Sequence, residues 1–339
     1  MPRLRPVAYL PILSVQPKPN IHLKNLHSLK NKSCIVHCPG TVANLVCGFD
    51  ILGLALEAPY DIMQVQLINE PVVRIKNIDD YNLPTDPEKN VAGVVLLEAM
   101  KKTDGNVGFE ITIDKRIKPG SGIGSSAASA AGAAAAANHL LGNIFDNDEL
   151  IQLAMHGEKL AAGVKHADNI APCLLGGVTL IRSIHPLDVM SIPSPDLHVT
   201  VVHPQVEVKT SDARQILRTQ VPLKDAIKQW GNIAGLITGF FKNDLSLIGR
   251  SLEDVIVEPI RSILIPGFDD VKQKCKEAGA LGGGISGSGP SIFMLSADKE
   301  TAEKIGKVMH EVYEQIGITH HVYVTTINKQ GVKILDDNE

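Results

Sequence analysis

From Lys118 to Ser126 the chain reads Lys-Pro-Gly-Ser-Gly-Ile-Gly-Ser-Ser, and a run of small residues continues to Ala137. Gly120, Gly122 and Gly124, at every second position, let the backbone turn tightly and come close to a ligand, because no Cβ stands between them. Ser125 and Ser126 then open a helix whose first-turn N–H groups have no intrahelical acceptor and point at one spot. The positive end of the helix dipole favours an anion there, so loop and helix form a phosphate cradle. The alanines that follow let the helix lie close against neighbouring backbone.

Two common phosphate motifs compete for this loop. No Gly-Lys-Ser/Thr follows the first glycine at the Walker A spacing. A dinucleotide site fits the distance from Gly124 to Asp146, where an acid would hold a ribose. Asp146, however, sits in the turn-like stretch 142–148 and not at a strand end, and the glycines miss the Gly-x-Gly-x-x-Gly register. An alanine-rich helix with a flexible start also stays open on this segment alone.

The segment resembles the second motif of the galactokinase, homoserine kinase, mevalonate kinase and phosphomevalonate kinase (GHMP) family, Pro-x-x-Gly-Leu-Gly-Ser-Ser-Ala, with Ile123 for the usual Leu. Residues 39–50 (PGTVANLVCGFD) are similar to its first motif, and residues 282–291 (GGGISGSGPS) to its third, in the same chain order. The resemblance runs from about Ser33 to the last strand. It implies a two-domain α+β fold, with an N-terminal domain like domain 2 of ribosomal protein S5 and a ferredoxin-like C-terminal domain. It also implies an ATP-dependent small-molecule kinase.

For ATP the resemblance implies contacts from Asn90, from Pro119, Gly120, Ser121, Gly122, Ile123, Gly124 and Ser125, from Ser126, Ala127, Ala128 and Ser129, and from Gly287 and Gly289. Glu158 would face the phosphate loop if its helix packs there. A carboxylate beside polyphosphate is repelled unless a cation intervenes, which suits Mg²⁺ held by Glu158 and Ser126. Taken alone, a helical Glu is usually a solvated face.

Within the family, residues 165–172 (KHADNIAP) most resemble homoserine kinases. Mevalonate kinase-like members carry an aspartate, their proposed base, where Asn169 falls; Asn169 cannot accept a proton from an alcohol. Asp168 is expected to point elsewhere. An amino-acid alcohol such as L-homoserine presents a carboxylate, an ammonium and a hydroxyl. Arg214 and Arg261 suit the carboxylate and Asp50 the ammonium, while Asn44 and Asn169 orient the side-chain end. The resemblance also implies His166 in this substrate set and Thr210 at the transferred phosphate. The implied catalytic residues are Asn169, Glu158 and Thr210. Three rivals stay open: a kinase of another alcohol, a nucleotide-binding regulator that has lost catalysis, and a dinucleotide oxidoreductase.

Bulk properties agree with an enzyme. The 339 residues suffice for two domains. A formal net charge of −4 gives no general attraction to nucleic acid or an anionic membrane, and 4% aromatic content argues against base stacking. No apolar stretch reaches membrane-spanning length. Five scattered cysteines read as buried thiols of a reducing compartment, the cytoplasm, and neither as disulfides nor as a metal site around Cys34, His37, Cys38 and Cys47. A homodimer is expected.

Residues 1–32 contain six basic residues, no acidic ones and five prolines. They read as a disordered basic extension, with a transit peptide or a start placed too far upstream as the other readings. Residues 33–190 form the expected ATP-binding domain and 191–335 the C-terminal domain, with the boundary in the proline-rich stretch 186–195. Helices are expected over 91–102, after the phosphate loop, over 148–162 with Asp148 as N-cap, and over 223–241, 246–255, 269–278 and 299–316. Strands fall between them without a regular βαβ rhythm, with a closing strand at 321–326.

Overall fold

The computed structural model describes residues 32–103, 107–208 and 210–336. The reading of the basic extension therefore lies, apart from Lys32, outside the described residues. In the first half, β1 (Ser33–Ala43), β2 (Leu52–Ile68), β3 (Val73–Asn77), α1 (Val91–Lys101), β4 (Gly108–Asp114), α2 (Ser125–Leu140), α3 (Asn147–Ala162), α4 (Ile170–Leu175), β5 (Val178–Ile184) and β6 (Leu187–Ile192) follow one another. The second half runs β7 (His198–Pro204), α5 (Thr210–Gln215), α6 (Leu223–Lys242), α7 (Leu245–Ser251), α8 (Glu258–Arg261), α9 (Phe268–Glu277), β8 (Gly282–Ile285), β9 (Ile292–Ser296), α10 (Lys299–Gln315), β10 (His320–Thr326) and β11 (Lys333–Asp336).

The first sheet has the order β11-β1-β2-β4-β3, with β5 and β6 continuing from one end of β2. β1 alternates as a half-buried strand should, placing Cys34, Val36 and Cys38 in the core. The alanine run of α2 packs against that face, its Ala127, Ala128, Ala130, Ala131, Ala133 and Ala134 fully buried. Closeness is required: a Cβ at Gly132 would collide with the Cys38 sulfur. Small side chains thus set the depth of α2, and with it the position of the phosphate loop.

The second sheet is antiparallel, in the order β10-β7-β9-β8. Counting its own strands, that is fourth, first, third, second, with helices after the first and the third, so the ferredoxin-like expectation holds. α10 buries Ala302, Ile305, Gly306, Met309, Val312 and Tyr313 at three- and four-residue spacing, the stripe of a helix lying on a sheet. No helix among the described residues is long and apolar enough to cross a membrane.

Three details differ from the sequence-based expectation. The proline-rich stretch holds β6, paired with β5 in the first sheet, so the chain passes to the second sheet only after Ile192. β11, expected within the C-terminal domain, pairs antiparallel with β1 and covers the open edge of the first sheet. The helix expected to start at Asp148 is capped by Asp146: its carboxylate accepts from the Glu149 N–H while Glu149 reaches back to the Asp146 N–H. That reciprocal bond engages Asp146 as a cap and removes the ribose reading.

Candidate active site

The three glycine-containing motifs meet at one point. Ser286 Oγ donates to Gly122 O at 2.7 Å, Ser291 Oγ to Ser121 O at 2.6 Å, and Thr41 N–H to Ile123 O at 3.1 Å. Gly122 and Gly124 both have positive φ, at 80° and 68°. A Cβ on Gly122 would strike the Gly289 and Ser286 carbonyls, and one on Gly124 would strike Thr41 Oγ1. Only glycine allows this turn and this closeness together.

A cleft of about 370 Å³ opens at the start of α2. Pro119, Gly120, Gly122, Gly124, Ser125, Ser126 and Ser129 line it, and Gly287 borders it from the third motif. Ser121, Ile123, Ala127, Ala128 and Gly289, expected at the nucleotide, do not line it. Their groups are taken up by the scaffold: Ser121 O accepts from Ser291, the Ile123 N–H bonds Ser121 Oγ, the two alanines lie in the core, and the Gly289 N–H bonds Ser286 O.

At one end Leu83, Pro84, Val91 and Ile113 form an apolar wall beside Asn90. Asn90 caps α1, its Oδ1 accepting from the Ala92 and Gly93 amides while its Nδ2 donates to Pro84 O. It therefore fixes the shape of this wall. At the phosphate loop, Ser126 Oγ donates to Glu158 Oε2 at 3.0 Å. Burial pushes the Glu158 carboxyl up, opposed by that hydrogen bond and by Arg214. A carboxylate and a hydroxyl beside an anion cradle are hard oxygen donors, the set that fits Mg²⁺.

The other end is densely charged. Arg214 makes a two-point pair with Asp50, and His166 Nδ1 lies 3.9 Å from Asp50 Oδ1. Arg261, almost fully buried, donates to Ala213 O and Gly287 O. Both guanidiniums lie over the Phe49 ring, 5.6 and 4.9 Å from its centroid, a cation–π arrangement. Burial, with Arg214 next, lowers the Arg261 pKa to about 10, so it stays charged at neutral pH. His166 is pushed down chiefly by burial and is neutral there. Its buried Nε2, and Arg214 Nε, have no hydrogen-bond partner, which marks polar capacity left for a ligand.

Asn44 lines the cleft, but its side chain braces the first motif, donating to Gly287 O and accepting from the Asp50 N–H. Asn169 Oδ1 accepts from Thr41 Oγ1 at 2.7 Å. Thr210 Oγ1 lies 3.2 Å from Ser288 Oγ, across the mouth from the loop.

Several lining residues escaped the sequence reading. Asp168, expected to point elsewhere, lines the cleft; burial, then Asp50 and Glu158, raise its pKa to about 7. Phe49 and Lys115 also line it. Lys115 is buried and ion-paired with Asp61, and its Nζ donates to Ser125 O and Ser129 Oγ. Asp61 also accepts from the Arg116 and Ile117 amides at 2.8 Å. A buried lysine is recognisable in sequence only when its partner is known, and Asp61 is 54 residues away.

A cleft lined by this phosphate loop from the first half and by Thr210, Arg214, Arg261 and Gly287 from the ferredoxin-like half fits a small-molecule kinase. Family models agree: GHMP kinases N terminal domain matches residues 90–177 and GHMP kinases C terminal matches 236–315. The chain belongs to the GHMP kinase family, and within it to the homoserine kinases. It is 46% identical over 310 residues to the homoserine kinase of Chlorobium phaeobacteroides, covering 87% of this chain and 97% of that one. With the homoserine kinase of Chloroherpeton thalassium it shares 44% identity over 311 residues, 88% and 98% of the two chains. The crystal structure of homoserine kinase from Cytophaga hutchinsonii superposes with a TM-score of 0.86 at 50% identity, covering 90% of this chain and 98% of that one.

Proposed function

We propose that this chain transfers the γ-phosphoryl group of ATP to the hydroxyl of L-homoserine, giving O-phospho-L-homoserine and ADP, a step of threonine synthesis. One observation carries the reading. A single cleft joins the phosphate loop and the Ser126–Glu158 pair to a pocket holding Asp50, Arg214, Arg261 and the unpartnered His166 Nε2. Those are the charges that a zwitterionic alcohol needs.

In this reading the adenine lies along the Leu83–Pro84 wall and the phosphates on the first turn of α2. Ser126 and Glu158 would hold Mg²⁺, which supplies neutralisation of phosphate charge when bound. The substrate carboxylate meets Arg214 and Arg261, and its ammonium meets Asp50. Asn169, its oxygen held by Thr41, presents its amide N–H groups to the alcohol. The alcohol oxygen bonds to the γ-phosphorus as the bond to the β–γ bridging oxygen breaks, the electron pair leaving with ADP. The alcohol proton passes to a phosphoryl oxygen, so alignment and charge neutralisation do the catalysis.

ADP formation assayed with homoserine, serine, threonine and mevalonate tests this. Turnover strongest with homoserine supports it; turnover with none, while ATP still binds, points to a nucleotide-binding regulator. We place the enzyme in the cytoplasm, in keeping with cysteines that are all buried, and as a homodimer. Leu223, Ile227, Trp230 and Phe241 are 57–67% exposed along one face of α6, a stripe that a second copy of the chain would cover. Trp230→Glu should then shift the chain to a monomer in sedimentation, and an unshifted profile removes α6 as the interface.

A further inference from the structure

Away from the cleft, α10 and the first residue of β10 bring His310, Glu314 and His320 together, each with a donor atom within 4.8 Å of the others. His310 and Glu314 are one helical turn apart and so share a face. The neighbouring Met309, Val312 and Tyr313 are buried in the core, which fixes the backbone that carries both donors. Gly317, at φ 71°, reverses the chain and returns His320 against the end of that helix.

One ring nitrogen of His320 is already engaged. Its Nδ1 lies 2.8 Å from Ile318 O, and a carbonyl only accepts, so the ring proton sits on Nδ1. In the neutral ring Nε2 then carries the lone pair, and it faces His310 Nδ1 at 2.9 Å. A backbone carbonyl on the distal ring nitrogen is the support that metal-bound histidines ordinarily have. The buried Tyr313 ring, 5.5 Å away by centroids, limits rotation of the imidazole.

We propose that His310, Glu314 and His320 form a binding site for a divalent cation of the zinc class, with a fourth position open to water. Two imidazoles and one carboxylate are a donor set that Zn²⁺ takes tetrahedrally. Mg²⁺ and Ca²⁺ prefer oxygen throughout and are disfavoured. Zn–N bonds in a tetrahedron set the two nitrogens about 3.4 Å apart, so the rings need to part by only about half an ångström. Without metal, a proton on His310 Nδ1 fills the same gap. A bound cation would tie α10 to β10 and brace the second sheet.

The test uses the full chain, stripped with EDTA and kept in millimolar Mg²⁺. Zn²⁺ is titrated by calorimetry and Co²⁺ by its visible d–d absorption. One equivalent should bind, with a tetrahedral Co²⁺ spectrum free of thiolate charge transfer, and Tm should rise with Zn²⁺. His310→Gln and His320→Gln should each weaken binding at least tenfold, and Glu314→Gln by less, with metal-free Tm and ADP formation at the parent level. His310 is exposed, so His310→Gln decides if His320→Gln unfolds. Absence of binding, a thiolate band, or equal affinity in His310→Gln overturns the site.

Discussion

Arg214 donates Nη2 to Asp50 Oδ1 at 2.8 Å and Nη1 to Asp50 Oδ2 at 3.1 Å, so the proposed carboxylate and ammonium binders of the substrate hold each other. Asp50 sits at φ 62°, and its N–H is held by Asn44 Oδ1, which presents the carboxylate to the guanidinium. A zwitterion can join the pair with its charges reversed, extending one ion pair into a network while Arg214 Nε takes up its missing partner.

Arg214→Ala should therefore weaken homoserine far more than ATP. Leaving a carboxylate without its charged partner typically costs about 2–5 kcal/mol. Arg214→Lys should recover only part of the loss, since an ammonium cannot make two parallel hydrogen bonds. Steady-state kinetics with each substrate varied decides; a raised ATP KM with homoserine KM unchanged would put the substrate carboxylate elsewhere.

Glu158→Gln should lower kcat by several kcal/mol of transition-state stabilisation, most visibly at limiting Mg²⁺. The protein should stay folded. Burial holds the Glu158 pKa up, so the charge is unfavourable in the ligand-free chain and a neutral isostere relieves it. The check is kcat against Mg²⁺ concentration beside Tm; parent-like turnover at low Mg²⁺ contradicts the assignment.

The backbone of this site was legible because its signals are local. Glycines at alternate positions and a small-residue run state both a turn and a close-packed helix, and the structure realises each through Gly122, Gly124 and Gly132. What escaped depends on distant partners. Lys115 reads as a surface lysine until β2 brings Asp61 beneath it, and Asp168 as a neighbour of Asn169 until burial turns it to the cleft. The direction of side chains along α2 was less legible: Ala127 and Ala128 follow the serines in sequence, and the helix turns their methyl groups into the core.

Lys115→Met should destabilise the fold by about 3–5 kcal/mol, because it leaves Asp61 charged and buried without its cation. The double variant with Asp61→Asn should be more stable than the single one, since the amides of Arg116 and Ile117 can still bond the amide oxygen. Urea unfolding of the four chains gives the coupling. Additive losses would mean that the two side chains act independently.

Asp168 provides the last prediction. Its carboxyl titrates at about 7 in the folded chain against 3.8 ordinarily, raised first by burial and then by Asp50 and Glu158. Between those values the folded state holds the extra proton, so this group's contribution to stability falls as pH rises from 3.8 to about 7 and is level above. Asp168→Asn should remove that slope. It should be more stable than the parent at pH 8, by on the order of a few kcal/mol, read as a higher Tm, and show no such gain near pH 4. Catalysis supplies a separate measurement. If the alcohol proton leaves to phosphate, Asn169→Ala lowers kcat without adding an ionisation, and Asp168→Asn keeps the shape of the parent's kcat–pH profile. Should the parent instead lose activity below a pKa near 7 and Asp168→Asn abolish both that limb and most of kcat, Asp168 is the base and transfer is not base-free.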